Sequence, residues 1–434
     1  MSATVPRVML LAVACASGAA AADAPEAARI AITAPATGDW TVAYALPAPA
    51  KELVFARSPD NSRAAYWAKP DGFEIVLEGG SERVRRTDGR PFSGVAFGVP
   101  PRYRELPKDY APFMPFGDGG LSFYTGRMFA CGGECPDDAS WTINIAAAGR
   151  SILVDGERHD ARATWRDSGQ GRNVYVGQAE PVVTGDVVAM IDSALPQRMR
   201  GQLETQIPRF MAYFTQKLGP LGDAPTLFAS YDVSPHDGRS GRQGGTLPGQ
   251  VFTHFYGDAW PSRIDDPALP DELAWFFAHE AGHLYQHDAW VDGNVSAWIH
   301  EGGAEAFAAL ALRADGASDA VKAKVASASR ECAEAVAQTS VRGAIAAGRF
   351  GAAYTCGLLV SLAIDEAVKR ARPDSDGLYT VWRDFIASEP PGRHTEEGFL
   401  AAVARAGGDA LADEVRAVVR TTTPDFAKLG AGAI

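Results

Sequence analysis

The feature that most constrains the fold of this 434-residue chain is a change in hydrophobic period near residue 195. Before it, short alternating or β-branched runs are separated by turn residues, which is typical of a sandwich or barrel. After it, strand-like runs at 226–231 and 244–256 are followed by alanine-rich segments with apolar residues at i, i+3 and i+4. The sequence therefore predicts an α+β chain with a β-sandwich-like amino-terminal domain at 23–195 and a second domain, with a helical carboxyl-terminal lobe, at 196–434.

The two hydrophobic periods predict individual strands and helices. Strands of the first part are expected at 29–33, 40–44, 73–77, 141–145 and 173–176. Residues 197–218 are amphipathic and predict a helix interrupted at Pro208, because proline removes a backbone donor. Later helices are expected at 273–285, 297–312, 320–337, 352–368 and 399–404.

The first residues have the pattern of a secretory signal peptide. Arg7 is the only charged residue before Asp23, an apolar run follows at 8–14, and small residues at 18–22 offer cleavage sites. We expect residues 1–22 to be removed and the protein to be exported, either periplasmic or secreted. Cys15 lies in a poor lipoprotein context, so anchoring through it is the minor alternative. No later stretch approaches the 18 or so uninterrupted apolar residues of a transmembrane helix, so no transmembrane segment is expected.

The charge balance disfavours nucleic acid as a partner. The chain has 41 basic and 53 acidic residues, a formal net charge of -12, and no basic block. Removal of Arg7 with the signal leaves 40 basic against 53 acidic residues, a charge of -13.

The four cysteines outside the signal agree with export. An even number in an oxidising compartment predicts two disulfides. Of three connectivities we expect the local one, Cys131 with Cys135 and Cys332 with Cys356. The first pair could instead be half of a zinc knuckle, but no second Cys or His pair follows at ligand spacing.

The most informative motif lies at residues 277–284, which read FAHEAGHL. Two histidines four residues apart on a helix differ by about 40° around its axis, so His279 and His283 can bind one zinc ion. Glu280 could then take a proton from a water at the metal, as in the H-E-x-x-H pattern of zinc peptidases. The alternative is an amphipathic helix whose histidines only fill core contacts. Chance matches are rare with 8 histidines in the chain, which favours the metal site.

A catalytic zinc ion needs a third protein ligand and an open position. Glu301, 18 positions after His283, follows a stretch long enough to return the chain as an antiparallel helix, so we assign it as the third ligand. Glu305, one turn further, could accept a hydrogen bond from a ligating imidazole; the alternative is a solvated helix charge. A site with His287 as third histidine would need a chain reversal at a glycine, which 284–286 lacks, so we expect His287 at the surface or rim.

These residues resemble a known group of enzymes. HEAGH at 279–283 followed by WIHEG at 298–302 is similar to the gluzincin metallopeptidases, especially the aminopeptidase N and glycyl aminopeptidase families, over roughly residues 197–418. The resemblance implies a thermolysin-like catalytic domain behind a β domain, one zinc ion per chain, and a peptide or protein substrate. It also implies that Tyr354, which matches the tyrosine of a Y-x-x-G segment, stabilises the oxyanion; the alternative is a core tyrosine.

The same resemblance implies a substrate-binding strand. Gly244, Gly245 and Thr246 lie where those families have a glycine-rich edge strand that binds the substrate backbone. Three departures stand out: 17 rather than 18 residues between His283 and Glu301, no glutamate after Gly-x-x to hold a substrate amine, and no large carboxyl-terminal domain. We therefore expect no requirement for a free amino terminus, and exo or endo cleavage remains open.

Two functional hypotheses follow. The first is an exported zinc peptidase that hydrolyses peptide bonds with Glu280 as general base. The second is a catalytically weak or inactive zinc-fold protein of the cell envelope that binds peptides. The missing amine-binding glutamate favours the second slightly, whereas Glu280 argues against it, because a binding protein needs no general base.

Overall fold

The computed structural model describes residues 26–422, except 107–108, 185–186, 235–237, 287–288, 290, 292 and 391. The predicted signal peptide, Cys15 and His287 therefore lie outside the described residues. The strands are β1 Glu26–Thr33, β2 Trp40–Ala50, β3 Glu52–Phe55, β4 Phe73–Glu78, β5 Ser81–Arg86, β6 Phe92–Val99, β7 Phe113–Pro115, β8 Leu121–Tyr124, β9 Ala130–Cys131, β10 Ser140–Val154, β11 Glu157–Ser168, β12 Asn173–Gly177, β13 Val182–Thr184, β14 Val187–Ile191, β15 Thr226–Asp232, β16 Gly241–Leu247 and β17 Gln250–Tyr256. The helices are α1 Ser62–Tyr66, α2 Gln197–Leu218, α3 Trp260–Arg263, α4 Leu269–Gln286, α5 Ala297–Ala314, α6 Ser318–Ala335, α7 Val341–Ala346, α8 Gly351–Ala371, α9 Leu378–Ser388, α10 Glu396–Gly407 and α11 Asp409–Arg420.

The first half of the chain forms two sheets that share one core. The larger has the order β6-β2-β1-β10-β12-β8-β7, with β11 paired to β10, and the smaller has the order β4-β5-β3-β9. Alternation places Ala28, Ile30 and Ile32 of β1 inside, whereas the residues between them are exposed. Leu53 of β3 and Val84 of β5 belong to the same hydrophobic cluster as β1, so the strand-rich half expected from the sequence is confirmed.

A third sheet supports the second half. Its order is β13-β14-β15-β17-β16, in which β14, β15 and β17 run parallel and β16 is an antiparallel edge strand. β13 and β14 precede the boundary that we expected at residue 195, yet they pair within this sheet. The β-branched residues of β13 and β14 identify these segments as strands, but they do not indicate which sheet the strands join.

The expected single strand at 244–256 is wrong, because this segment is part of a hairpin. Leu247 of β16 pairs with Gln250 of β17, so Pro248 and Gly249 form a two-residue connection. Gly249 has φ +67°, a conformation that glycine adopts without strain. The Pro-Gly dipeptide is a turn signal, and it puts Pro248 beyond the end of the edge strand.

The expected interruption of the second helix at Pro208 is also wrong. α2 runs continuously through Pro208, and its apolar face is buried. The packing of Leu203, Ile207, Phe210 and Phe214 against the helical lobe outweighs one lost backbone hydrogen bond. The later helices form at the expected places, and the structure adds the shorter helices α7, α9 and α11.

The helical lobe surrounds α8, which packs against α5, α6, α7 and α9. Among the described helices, α8 has the length and composition to cross a membrane, but 72% of its most apolar window is buried inside the protein. Core helices often have these properties, so the expectation of no transmembrane segment is not contradicted. Both expected disulfides are confirmed: Cys131–Cys135 in the first half and Cys332–Cys356, which joins α6 to α8.

Candidate metal centre and active site

The motif histidines lie one turn apart on α4 and face the same side. The Nε2 atoms of His279 and His283 are 3.0 Å apart, and both side chains are largely shielded from solvent. Helical geometry alone accounts for this arrangement, because residues four apart stack on one face.

Glu301 on α5 completes a cluster of three donor atoms. Its Oε2 lies 3.5 Å from Nε2 of His279 and 3.4 Å from Nε2 of His283. α4 and α5 pack against each other. The structure therefore brings together the three residues that the sequence predicts as metal ligands.

The other imidazole nitrogens face polar partners. Nδ1 of His279 lies 3.2 Å from Oε1 of Glu305, although the angle is too bent for a regular hydrogen bond. Oε2 of Glu305 accepts a hydrogen bond of 2.9 Å from Trp275. Nδ1 of His283 is 2.7 Å from Oε1 of Gln286, a partner that our sequence analysis did not identify. Since Gln286 lies one turn after His283, the i, i+3 spacing is the signal that could have revealed it.

The electrostatics of the cluster favour a positive charge. Burial alone would lower the pKa of His279, but Glu301 and Glu305 raise it to about 10. Burial opposes ionisation of Glu301, yet the two imidazoles hold its pKa well below the usual range. Without a metal ion, His279 thus retains a proton to balance the carboxylates. A divalent cation can take the place of that proton.

The donor set fits a zinc ion. Two ligands about 2.0 Å from a tetrahedral zinc ion are about 3.3 Å apart. The three observed separations, 3.0, 3.4 and 3.5 Å, bracket this value. Two imidazole nitrogens and one carboxylate oxygen also match the catalytic His₂Glu type of zinc site, which keeps a fourth position open.

Glu280 lies next to the cluster and also contacts the edge strand. The hydroxyl of Thr246 is 2.9 Å from the backbone oxygen of Glu280 and 3.3 Å from its Oε2. Burial raises the pKa of the Glu280 carboxyl group. The Thr246 contact therefore connects α4 to β16 at the residue that is expected to be the general base.

Tyr354 on α8 reaches the same cluster. Its ring stacks near His279, with centroids 5.8 Å apart, and burial followed by the charges of Glu301 and Glu280 raises the pKa of its phenol. This position depends on a close contact between α5 and α8, where Gly302 and Gly357 leave no room for a Cβ atom. Each glycine lies within one turn of a site residue, Glu301 or Tyr354.

The cluster opens into a cleft of about 640 Å³. β16 forms one wall, where Gly244 packs against the ring of Phe276 and a Cβ atom on Gly245 would lie 2.7 Å from the ring of Tyr110. Tyr110 and Gln170 come from the first half of the chain, and sequence analysis identified neither. No local pattern marks them, because only the tertiary structure brings them to the cleft.

Comparison with known proteins identifies the fold. No protein-family model and no curated protein matches the sequence. Among solved structures, a variant of the M1 zinc metallopeptidase from Deinococcus radiodurans bound to a Tyr-Ser-Ala substrate is similar, with 14% identity and a TM-score of 0.55 over 92% of this chain and 95% of that one. The M1 zinc metallopeptidase itself has 15% identity and a TM-score of 0.52 over the same shares.

Native yeast LTA4 hydrolase is also similar, with 10% identity and a TM-score of 0.56 over 92% of this chain and 67% of that one. All three similarities extend over both the strand-rich half and the helical part. The chain therefore has the two-part fold of these zinc metallopeptidases.

Proposed function

We propose that this protein is a zinc-dependent peptidase. The observation that carries the proposal is the convergence of Nε2 of His279, Nε2 of His283 and Oε2 of Glu301, each 3.0 to 3.5 Å from the others, beside Glu280. The similarity in fold to zinc metallopeptidases supports the same conclusion. The part of the chain after residue 195 would then be thermolysin-like, with the helix pair α4 and α5 facing the edge strand β16.

The proposed residue roles follow from the geometry. His279, His283 and Glu301 would hold one zinc ion, which when bound supplies Lewis acidity to water and to a substrate carbonyl. Glu305 and Gln286 orient the imidazoles so that both Nε2 atoms face the ion. Glu280 accepts a proton from the attacking water, and its raised pKa brings its basicity closer to working pH.

Tyr354 would act in the step in which water attacks the substrate. Its phenol has a raised pKa and so keeps its proton, which it can donate in a hydrogen bond to the substrate oxygen as negative charge develops there. Removal of that donor should slow the chemical step more than it weakens substrate binding.

The proposed substrate is an extended peptide that pairs with β16. Edge strands recognise peptides through backbone hydrogen bonds, and Gly244, Gly245 and Thr246 lie along the wall of the cleft. Among the described lining residues the carboxylates are Glu280 and Glu301, both with roles at the metal. Neither is free to hold a substrate amine, which supports cleavage without a free amino terminus.

We also propose that the protein is exported. The pattern of residues 1–22 and the two disulfides support this location, because disulfides persist in oxidising compartments.

One experiment tests the function directly. The purified mature protein is analysed for metal and incubated with a mixed-peptide pool whose products are read by mass spectrometry. We expect about one zinc ion per chain and cleavage that stops when a chelator removes the metal. Zinc binding with no cleavage in a broad pool would instead support a peptide-binding protein.

A further inference from the structure

A cation lies beside the cleft at the start of β16, two positions before the first residue of that strand that lines the cleft. Arg242 shares the α4-facing side of β16 with Gly244 and Thr246, because side chains alternate along a strand. Its guanidinium carbon lies 4.7 Å from the ring centroid of Phe276, and that ring in turn contacts Gly244 in the cleft wall. The guanidinium is thus held against the aromatic ring that borders the cleft.

Arg242 forms no ion pair with any residue that the structure describes. The acid whose charge acts most strongly on Arg242, Glu272 of α4, is 2.9 Å from Arg263 and is engaged there. Arg242 is exposed and therefore accessible to a ligand. A guanidinium held on a ring has a fixed fork of donors, which suits a carboxylate.

The register of β16 determines which part of a bound peptide would approach Arg242. Since Leu247 and Gln250 close a two-residue hairpin, the backbone groups of Gly244 and Thr246 point to the free edge. Antiparallel pairing is the more stable mode, and a peptide added in this way runs from Thr246 toward Arg242. The chain on the carboxyl-terminal side of the reacting bond therefore approaches the arginine.

Distances along the strand give the position of the recognised residue. Thr246 contacts Glu280, so the reacting bond lies near its level. Thr246 lies four positions after Arg242, about 14 Å at 3.4 Å per residue. The guanidinium leans toward Phe276 and shortens this distance, so it comes level with the second or third peptide residue after the bond.

We propose that Arg242 is a specificity residue that binds a substrate carboxylate two or three residues after the cleaved bond. This inference rests on the proposed peptidase function. The carboxylate is either the end of the peptide, which would make the protein release short carboxyl-terminal fragments, or an acidic side chain at that position.

The test uses three peptides of one sequence with the zinc-loaded protein. One ends in a free carboxylate two residues after the cleaved bond, the second ends there in an amide, and the third is a longer, amidated peptide with glutamate at that position. We expect kcat/KM to be about tenfold higher with a carboxylate than with the plain amide. The first and third peptides show which source of carboxylate the protein uses.

The variant Arg242→Ala should bring the ratio of kcat/KM between the carboxylate and amide peptides close to one, and Arg242→Lys should retain part of it. Lys324→Ala is the matched control, because Lys324 also lies over an aromatic ring of α4, 5.4 Å from the centroid of Trp275, but it comes from α6 and not from the edge strand β16. The control should keep the wild-type ratio, and zinc content should be equal in all variants.

Two results would overturn the inference: a wild-type ratio near one for both carboxylate peptides, or a preference that persists in Arg242→Ala. Failure of the proposed function looks different, because no peptide would then be cleaved by the zinc-loaded wild type. In that case fluorescence anisotropy is used to measure how tightly the same peptides bind, which tests whether Arg242 recognises a carboxylate. The carboxylate forms must bind the wild type about tenfold more tightly than the amide, and Arg242→Ala must abolish the difference.

Discussion

The two walls of the cleft differ in how they are built. The metal wall comes from α4 and α5, whose site residues lie within 27 positions, from His279 to Glu305. The opposite wall combines β16 with Tyr110 and Gln170, which are far apart in sequence. The polar groups of the metal wall contact one another, whereas the opposite wall offers glycines and a free strand edge, with Arg242, which has no ion pair among the described residues, beside it. The first wall is therefore suited to one chemistry, and the second can be adapted to a substrate.

The largest expected effect lies on the metal wall at Glu280. The substitution Glu280→Gln should lower kcat by about 10² to 10⁴-fold, because the amide keeps the shape but cannot accept a proton. Zinc content and thermal stability should stay near wild type. Glu272→Gln, on the same helix but paired with Arg263, is the matched control and should change little. Equal cleavage by wild type and Glu280→Gln would contradict the assigned base.

The next effect separates a ligand from its supporting residue. Glu301→Ala should weaken zinc binding more than a hundredfold, because it removes one of three protein ligands. Glu305→Ala should weaken it about 10 to 100-fold, because Glu305 faces the nitrogen of His279 that points away from the proposed zinc ion. Competition with a chelator measures both affinities. Similar losses would mean that Glu301 is not the third ligand.

Zinc affinity should also depend on pH. The pKa of His279 without metal is raised to about 10, so below that pH zinc must displace a proton. Between about pH 7 and pH 9 the dissociation constant should fall about tenfold per pH unit as pH rises. Calorimetry in two buffers of different ionisation enthalpy should detect about one proton released per zinc ion. Zinc binding without proton release would show that His279 does not carry a proton in the metal-free protein.

The smallest effect concerns the opposite wall. Acetylation of a peptide's amino terminus should change kcat/KM by no more than about threefold, because no free carboxylate lines the described part of the cleft. Matched free and acetylated peptides provide the measurement. A loss of kcat/KM of about a hundredfold on acetylation would reveal a site for the substrate amine. The wall opposite the metal would then also have a fixed chemical role. Glu305 does not offer such a site, since its oxygens already face His279 and Trp275.

Sequence reasoning succeeds where geometry is local. Helical spacing predicts that His279 and His283 share a face, and a strand period predicts β1, because each pattern repeats regardless of its surroundings. It fails where the outcome depends on distant packing. Tyr110 reaches the cleft only because the first half folds against β16, and α2 continues through Pro208 only because its apolar face is buried. The hairpin of β16 and β17 could have been predicted from the sequence, because Pro248 and Gly249 are a local turn signal.

Gly302 and Gly357 let the backbones of α5 and α8 pack against each other beside the active site, so we expect the two helices to move together. Glu301 and Tyr354, which flank that contact, should keep a constant separation whether or not a substrate is bound. Any adjustment of the cleft to peptides of different size must then occur at the hairpin of β16 and β17 or at Tyr110. Evolution toward a new substrate could therefore alter one side of the cleft while the distance between Glu301 and Tyr354 stays the same.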